Sequence, residues 1–112
     1  MKRLKKERGQ TMQTIFTLKQ QVLNGEVITV PVQNSSNIST YSYNPQTKIF
    51  SVLFKRGTLY KYSDVGLEVA FKFLNTSMVG GSIGKLFRSE LLDRYTYTRL
   101  DVNGGKKYTV EV

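Results

Sequence analysis

Two tyrosines and a lysine at the centre of the chain are the residues whose types and spacing point most directly to chemistry. Tyr60, Lys61 and Tyr62 lie within residues 57–62, whose composition is typical of a strand. Both rings then lie on one face of the strand and Lys61 lies on the other. Because rings stack on bases and cations contact phosphates, we expect a weak site for single-stranded nucleic acid.

The same tyrosines also have a structural interpretation. In that interpretation both rings pack under the helices of a small domain and expose only their hydroxyls. In the binding interpretation Tyr41 and Tyr43 lie beside them on a neighbouring strand and enlarge the stacking surface. The sequence leaves both interpretations open.

Positive charge is the second feature that points to a partner. The chain has 17 Lys and Arg against 8 Asp and Glu, and a formal net charge of +9 suits RNA, DNA or an acidic protein surface. The cations expected to contact phosphate are Lys55, Arg56, Lys61, Lys85 and Arg88, together with Lys2, Arg3, Lys5, Lys6 and Arg8 near the N-terminus. Such binding weakens with salt. The alternative is a solvated surface whose charge is partly compensated by Glu90, Asp93 and Asp101.

Several reactive residue types are missing from the chain. There is no histidine and no cysteine, and the carboxylates are too scattered to pair across a site. Residues 80–85 are glycine-rich, but three residues separate Gly80 from Gly84 where a phosphate-binding loop needs four. We therefore expect no enzyme, no cofactor and no metal site. The amides near Lys85 remain a candidate anion contact, because helix starts bind anions.

We expect neither a membrane-spanning segment nor an export signal in this sequence. No apolar run approaches the roughly 20 residues that span a membrane, and no apolar segment follows the basic N-terminus. We expect a chain that does not contact membranes and acts in the cytoplasm of a bacterial or phage-infected cell.

The pattern of apolar and turn residues predicts an α+β fold, a small curled antiparallel meander with two packed helices. The strands of the meander are expected over residues 38–43, 48–55 and 58–62. The middle strand is apolar on both faces, which indicates a central position. The two helices are expected over residues 65–74, capped by Ser63 or Asp64, and over residues 83–93.

Further elements are predicted at both ends of the chain. Residues 11–23 have helical apolar spacing, and residues 26–32 are β-rich, with Pro31 marking an edge or a strand end. Near the C-terminus, residues 95–102 and 106–112 flank Asn103-Gly104-Gly105, a strong hairpin signal.

Several short motifs occur in the order found in one known family. They are Ser35-Ser36-Asn37-Ile38, Tyr43-Asn44-Pro45, Val52-Leu53-Phe54 with Lys55-Arg56-Gly57, Tyr60-Lys61-Tyr62, Ser77 with Gly80, Ile83-Gly84-Lys85-Leu86-Phe87-Arg88, and the closing Tyr95 and Tyr97. With this set, residues 34–100 resemble the KTSC domain, a small module named for its occurrence at the C-terminus of some lysyl-tRNA synthetases and also found as a free-standing bacterial or phage protein. Gly84 departs from the family's usual Asn, and Gly66 departs from its Pro-rich helix start. RNA binding has been proposed for the family, so the resemblance adds to the case for nucleic acid.

These observations divide the chain and suggest two functions. We expect a flexible basic arm over residues 1–9, a helix and strand extension over 10–33, the KTSC-like domain over 34–100 and a final hairpin strand over 101–112. The first hypothesis is a non-catalytic module that binds RNA or single-stranded nucleic acid. The second is a phage-encoded protein–protein module that binds and modulates a host machine such as RNA polymerase.

Overall fold

The strands form one antiparallel sheet in which neighbours along the chain are neighbours in space. A computed structural model describes residues 12–101 and 106–110 of the 112-residue chain. The strands are β1 (Ile28–Pro31), β2 (Ile38–Asn44), β3 (Ile49–Phe54), β4 (Thr58–Tyr62), β5 (Tyr97–Asp101) and β6 (Lys106–Val110), in that order across the sheet. The predicted meander is confirmed, as are the edge position of Pro31 and the pairing of the last two strands. Turn residues 102–105 lie outside the described residues.

Three helices complete the fold of the described residues. They are α1 (Met12–Leu23), α2 (Leu67–Met78) and α3 (Ile83–Glu90). Phe73 of α2 and Phe87 of α3 contact aromatic rings of the sheet. The α+β class and the N-terminal helix are therefore confirmed. Within the described ranges no helix is both long enough and apolar enough to cross a membrane.

Strand alternation gives the sheet two different faces, which we call the helix face and the outer face. Two rows of paired positions on the helix face are Tyr43, Phe50, Tyr62 and Tyr97, and Tyr41, Val52, Tyr60 and Arg99. The outer face carries Thr29, Ser42, Ser51, Lys61 and Thr98 at successive paired positions. The helix face is therefore rich in aromatic residues, and this row of the outer face is rich in hydroxyls.

The centre of the core is an aromatic cluster between the sheet and α2. The Phe73 ring centroid lies 4.5 Å from that of Phe50 and 5.2 Å from that of Tyr41. All three side chains are buried. Burial of large rings is the main source of stability in a domain of this size.

Two buried tyrosine hydroxyls tie the sheet to the segments that cross it. The Tyr41 hydroxyl lies 2.7 Å from Ser77 Oγ, and the Tyr43 hydroxyl donates to the Val65 carbonyl over 2.6 Å. Burial raises the pKa of both hydroxyls above the ordinary tyrosine value. Each ring thus contributes apolar area without leaving its polar atom unpaired.

The start of α2 differs from the prediction. Neither Ser63 nor Asp64 caps the helix; Gly66 takes the cap position in an extended conformation, with no side-chain hydrogen bond. The reason lies in Val65, which is fully buried and whose N–H donates to the Lys48 carbonyl over 2.9 Å. Because Val65 is held against the sheet in this way, the helix begins only after it.

The ends of both predicted helices also differ. α2 continues to Met78, past the predicted end at residue 74, and Ser77 in its last turn is buried against Tyr41. α3 ends at Glu90, before the predicted residue 93. Leu91 is fully buried, and Asp93 adopts a φ of 62°, a left-handed conformation that ends the helical path.

Candidate nucleic-acid interface

A tight turn between β3 and β4 presents two of the predicted cations. The Gly57 N–H donates to the Phe54 carbonyl over 2.9 Å, and Gly57 adopts a φ of 99°, which a residue without Cβ tolerates. Lys55 and Arg56 are consequently exposed at the tip of the turn. The Lys55 ammonium donates to the Ser35 carbonyl over 2.7 Å, which orients this side chain across the neighbouring loop.

A cavity of about 520 Å³ opens beside this turn. It is lined by Ser36, Asn37, Phe54, Lys55 and Arg56. In the loop that forms one wall of the cavity, the Ser35 hydroxyl accepts hydrogen bonds from two backbone N–H groups over 3.1 and 2.9 Å. The described lining combines two cations, a hydroxyl, an amide and an aromatic ring without a carboxylate. This chemistry suits an anion that carries a flat apolar group.

Partly exposed rings extend from this cavity along the helix face. The Phe54 and Tyr60 rings meet edge to face with centroids 5.4 Å apart, and Tyr60 meets Tyr97 in the same way at 5.4 Å. All three are partly exposed, whereas Phe87, which contacts Phe54 at 5.5 Å, is buried. The partly exposed rings of this cluster therefore come from β3, β4 and β5, and the first of them contacts α3.

Two guanidinium groups lie over these rings. Arg56 lies 5.9 Å from the centroid of Phe54, and Arg99 lies 6.0 Å from the centroid of Tyr60. Both distances fall within the range of cation–π attraction. We call Phe54, Arg56, Tyr60 and Arg99 the arginine–ring surface. It places positive charge directly against aromatic area that solvent can reach.

The prediction that Tyr62 offers a ring for base stacking is wrong. Its side chain is only 1% exposed and packs against Phe87 at 5.9 Å and Tyr97 at 5.2 Å. Burial raises the pKa of its hydroxyl, and the hydroxyls of Tyr97 and Tyr60 add to that effect. Tyr62 belongs to the core, whereas Tyr60, two residues earlier on the same face, stays partly exposed.

The expected contribution of Tyr41 and Tyr43 to a stacking surface is also wrong. Both rings are 1% exposed. They lie on β2, which β3 separates from β4, so they do not neighbour Tyr60.

Lys61 is exposed but lies on the other side of the sheet. It pairs with Ser51 and Thr98, both at outer-face positions, while Tyr60 is on the helix face. Lys61 therefore does not join the arginine–ring surface, although it is adjacent to Tyr60 in sequence.

Lys85 and Arg88 lie on the solvent side of α3. Both are exposed, while Ile83 and Phe87 of the same helix are buried. Because Phe87 contacts Phe54, α3 runs next to the arginine–ring surface. These two cations are thus on the same side of the sheet as Arg56 and Arg99. Glu90, expected to offset them, pairs instead with Lys72 of α2 at 3.2 Å.

The side chain of the residue before α3 already caps the start of this helix. Ser82 Oγ accepts a hydrogen bond from the Lys85 N–H over 3.1 Å. This bond uses one of the amides that an anion would need at a helix start. The predicted anion contact at residues 80–85 receives no support from this geometry.

The last group of predicted cations belongs to the N-terminal segment. Lys2, Arg3, Lys5, Lys6 and Arg8 lie outside the described residues. Within residues 12–101, no group of three or more histidine, cysteine or carboxylate residues is arranged to hold a metal ion.

The sequence did not single out Phe54, Arg99, Ser36 or Asn37 as a shared site. Arg99 becomes part of the site only through the pairing of β4 with β5, which places it beside Tyr60. The signal was available in principle: residues 58–62 and 97–101 alternate in phase once they are paired. Nothing local to residues 35–37 predicts that their loop lines a cavity with Arg56.

Comparisons with known proteins give one family and one relative that match the chain. The family model for the KTSC domain matches residues 34–95, just over half of the chain. An uncharacterised protein of Stutzerimonas stutzeri (strain A1501) is 31% identical over 67 residues, which cover 60% of this chain and 90% of that protein. The matched residues run from the loop before β2 to the start of the segment that enters β5. The chain therefore belongs to the KTSC domain family, with α1 and β1 preceding the matched domain.

Proposed function

We propose that this chain is a small non-catalytic module that binds RNA or single-stranded DNA through the arginine–ring surface. The observation that carries the proposal is the placement of Arg56 and Arg99 over the two touching rings Phe54 and Tyr60. Guanidinium groups contact phosphates in bidentate geometry, and partly exposed rings stack on bases. Groups that can contact phosphates and rings that can stack on bases thus lie side by side.

Two further sources of attraction fit the same partner. Lys85 and Arg88 extend the positive charge along α3, next to the ring cluster. The basic residues of the N-terminal segment raise the net charge to +9, which attracts a polyanion over a longer range. The proposed setting is the cytoplasm of a bacterial or phage-infected cell.

The experiment is a salt series of fluorescence anisotropy titrations with labelled single-stranded RNA, single-stranded DNA and duplex DNA. Contacts with three or four phosphates should give a slope of about −2 to −3 in a plot of log affinity against log salt, because each contributes roughly −0.7 on a single strand. We expect the single strands to bind more tightly than the duplex, whose bases are not free to stack on the rings. Binding that ignores salt, or no binding to any of the three, would contradict the proposal.

A second candidate is a protein–protein module that docks on an acidic surface of a host machine such as RNA polymerase. Its specific support is α1, which precedes the family domain and exposes Met12 at 73%, Phe16 at 62% and Leu23 at 59%. Exposed large apolar residues of this kind are typical of protein contacts. A pull-down from bacterial lysate, with and without nuclease, separates the two candidates. A partner retained after nuclease treatment favours the second.

A further inference from the structure

A row of hydroxyls with one lysine crosses the outer face of the sheet. Ser42, Ser51, Lys61 and Thr98 occupy directly paired positions on β2, β3, β4 and β5. At the edge of the row, Thr29 Oγ1 lies 3.0 Å from Ser42 Oγ. Paired positions on adjacent strands are about 5 Å apart, so neighbouring members of the row, such as Ser51 and Lys61, are close enough to act on one small ligand.

Part of this row lines a cavity of about 270 Å³. Ser42, Ser51 and Lys61 contribute from the strands, and Asn44 and Thr47 contribute from the β2–β3 turn. Asn44 Oδ1 already accepts hydrogen bonds from the N–H groups of Gln46 and Thr47, over 3.0 and 3.3 Å. The Asn44 group left for a ligand is therefore the amide nitrogen, a donor. The described lining thus offers an ammonium, an amide and hydroxyls, with no carboxylate.

This donor set distinguishes between kinds of anion. A carboxylate has two oxygens, whereas a phosphate monoester has three terminal oxygens and about two negative charges, and so uses more donors. Val27, which is 58% exposed, and Ile49 add an apolar wall that suits the carbon part of an ester. The volume lies just below the usual range of ligand sites, roughly 300–1,000 Å³, which limits the ligand to about the size of a pentose phosphate.

We propose that this outer-face cavity binds a phosphate monoester, with Lys61 as the charge partner and Ser42, Ser51 and Asn44 as hydrogen-bond donors. The site lies on the opposite side of the sheet from the arginine–ring surface and goes beyond the function proposed above. Either can fail without the other. The monoester can be a free small molecule or the 5′-phosphate of a nucleic-acid strand, because both present the same group.

The test is a titration of the full chain, followed by amide chemical shifts in NMR, with ribose 5-phosphate, with ribose, and with a trinucleotide carrying either a 5′-phosphate or a 5′-hydroxyl. We expect saturable shifts at Ser42, Ser51 and Lys61 with the phosphorylated ligands, and none there with ribose. Lys61→Gln should weaken binding about tenfold, as expected for one charge-assisted contact. Lys19→Gln is the control, since it removes the same charge from α1, which contributes no residue to the cavity lining.

A comparison of the two phosphorylated ligands identifies the source of the phosphate. Tighter binding of ribose 5-phosphate than of the 5′-phosphorylated trinucleotide supports a free ester, and the reverse supports a strand end. The proposal is overturned if sodium chloride at matched ionic strength gives the same shifts. It is also overturned if folded Lys61→Gln, verified by its spectrum, binds ribose 5-phosphate as the unmodified chain does.

Discussion

The hydroxyl of Tyr41 and the hydroxyl of Ser77 lie 2.7 Å apart in the core, where they join β2 to the last turn of α2. Both residues are buried, so neither hydroxyl has ready access to water as an alternative partner. Ser77 lies in the part of α2 that extends past the residue at which its sequence predicts an end. It also connects the central helix to the sheet through a buried hydrogen bond.

Removal of either hydroxyl should destabilise the protein. Tyr41→Phe leaves the Ser77 hydroxyl buried without this partner, and Ser77→Ala does the same to Tyr41; each should cost about 1–3 kcal/mol of unfolding free energy. Urea denaturation of both single variants and the double variant measures the coupling. Strict additivity of the two single effects would show that the hydrogen bond contributes nothing.

The two tyrosines of β4 should respond differently to truncation. Tyr62→Ala removes a ring that is 1% exposed and should cost about 3–5 kcal/mol of stability, as for other buried aromatic rings. Tyr60→Ala removes a partly exposed ring, so it should cost less stability and more affinity for single-stranded RNA. Thermal unfolding together with RNA titration checks both. An equal loss of stability in the two variants would contradict the difference in burial between Tyr60 and Tyr62.

Stability should fall at high pH because of the buried tyrosines. Burial raises the pKa of Tyr41 and Tyr62 above the ordinary value of 10.0. The unfolded chain therefore releases these protons first as the pH rises. The stabilising contribution is complete below pH 10 and is lost above it, by about 1.4 kcal/mol per pH unit for each tyrosine at most.

Urea midpoints measured between pH 8 and pH 11 follow this loss. Tyr41→Phe should reduce the steepness of the decline, since it removes one of the titrating groups while it keeps the ring. A decline that begins well below pH 9, or one that is unchanged in Tyr41→Phe, would argue against these tyrosines as its cause.

The cap of α3 offers a matched pair of serine variants. Ser82→Ala removes the side chain that accepts a hydrogen bond from the Lys85 N–H, and should cost about 1 kcal/mol. Ser89→Ala in the same helix removes an exposed hydroxyl and should be neutral or slightly stabilising, because alanine has the higher helix propensity. Chemical denaturation gives both values. Equal effects of the two substitutions would mean that the cap does not stabilise the helix.

Local patterns in the sequence predict much of this fold, while long-range contacts decide the rest. The strands of the meander follow from alternation and turn residues, so their bounds agree closely with prediction. The start of α2 does not, because Val65 is held by the Lys48 carbonyl and by the hydroxyl of Tyr43, both distant in sequence. No local signal in residues 63–66 reports those bonds.

The residues of the candidate site are likewise of two kinds, those that the sequence predicts and those that long-range contacts determine. Alternation alone places Lys61 on the face opposite Tyr60, and the charges of Lys55 and Arg56 are evident in the sequence. The burial of Tyr62 depends on Phe87 of α3, and the position of Arg99 beside Tyr60 depends on strand register. Residues whose role is set by register or by a packed helix could not be assigned from spacing along the chain.

The central claim is that the arginine–ring surface binds single-stranded nucleic acid. The direct test compares Arg56→Ala with the charge-matched control Lys19→Gln, which lies on α1 and contacts Phe71 of α2. Anisotropy titrations with one labelled single-stranded RNA, at two salt concentrations, give the affinity of each folded variant. Arg56→Ala should bind about tenfold more weakly, and its salt slope should be smaller by about 0.7, because one phosphate contact is lost. Lys19→Gln should keep the affinity and the salt slope of the unmodified chain; equal weakening in both variants, or in neither, would contradict the claim.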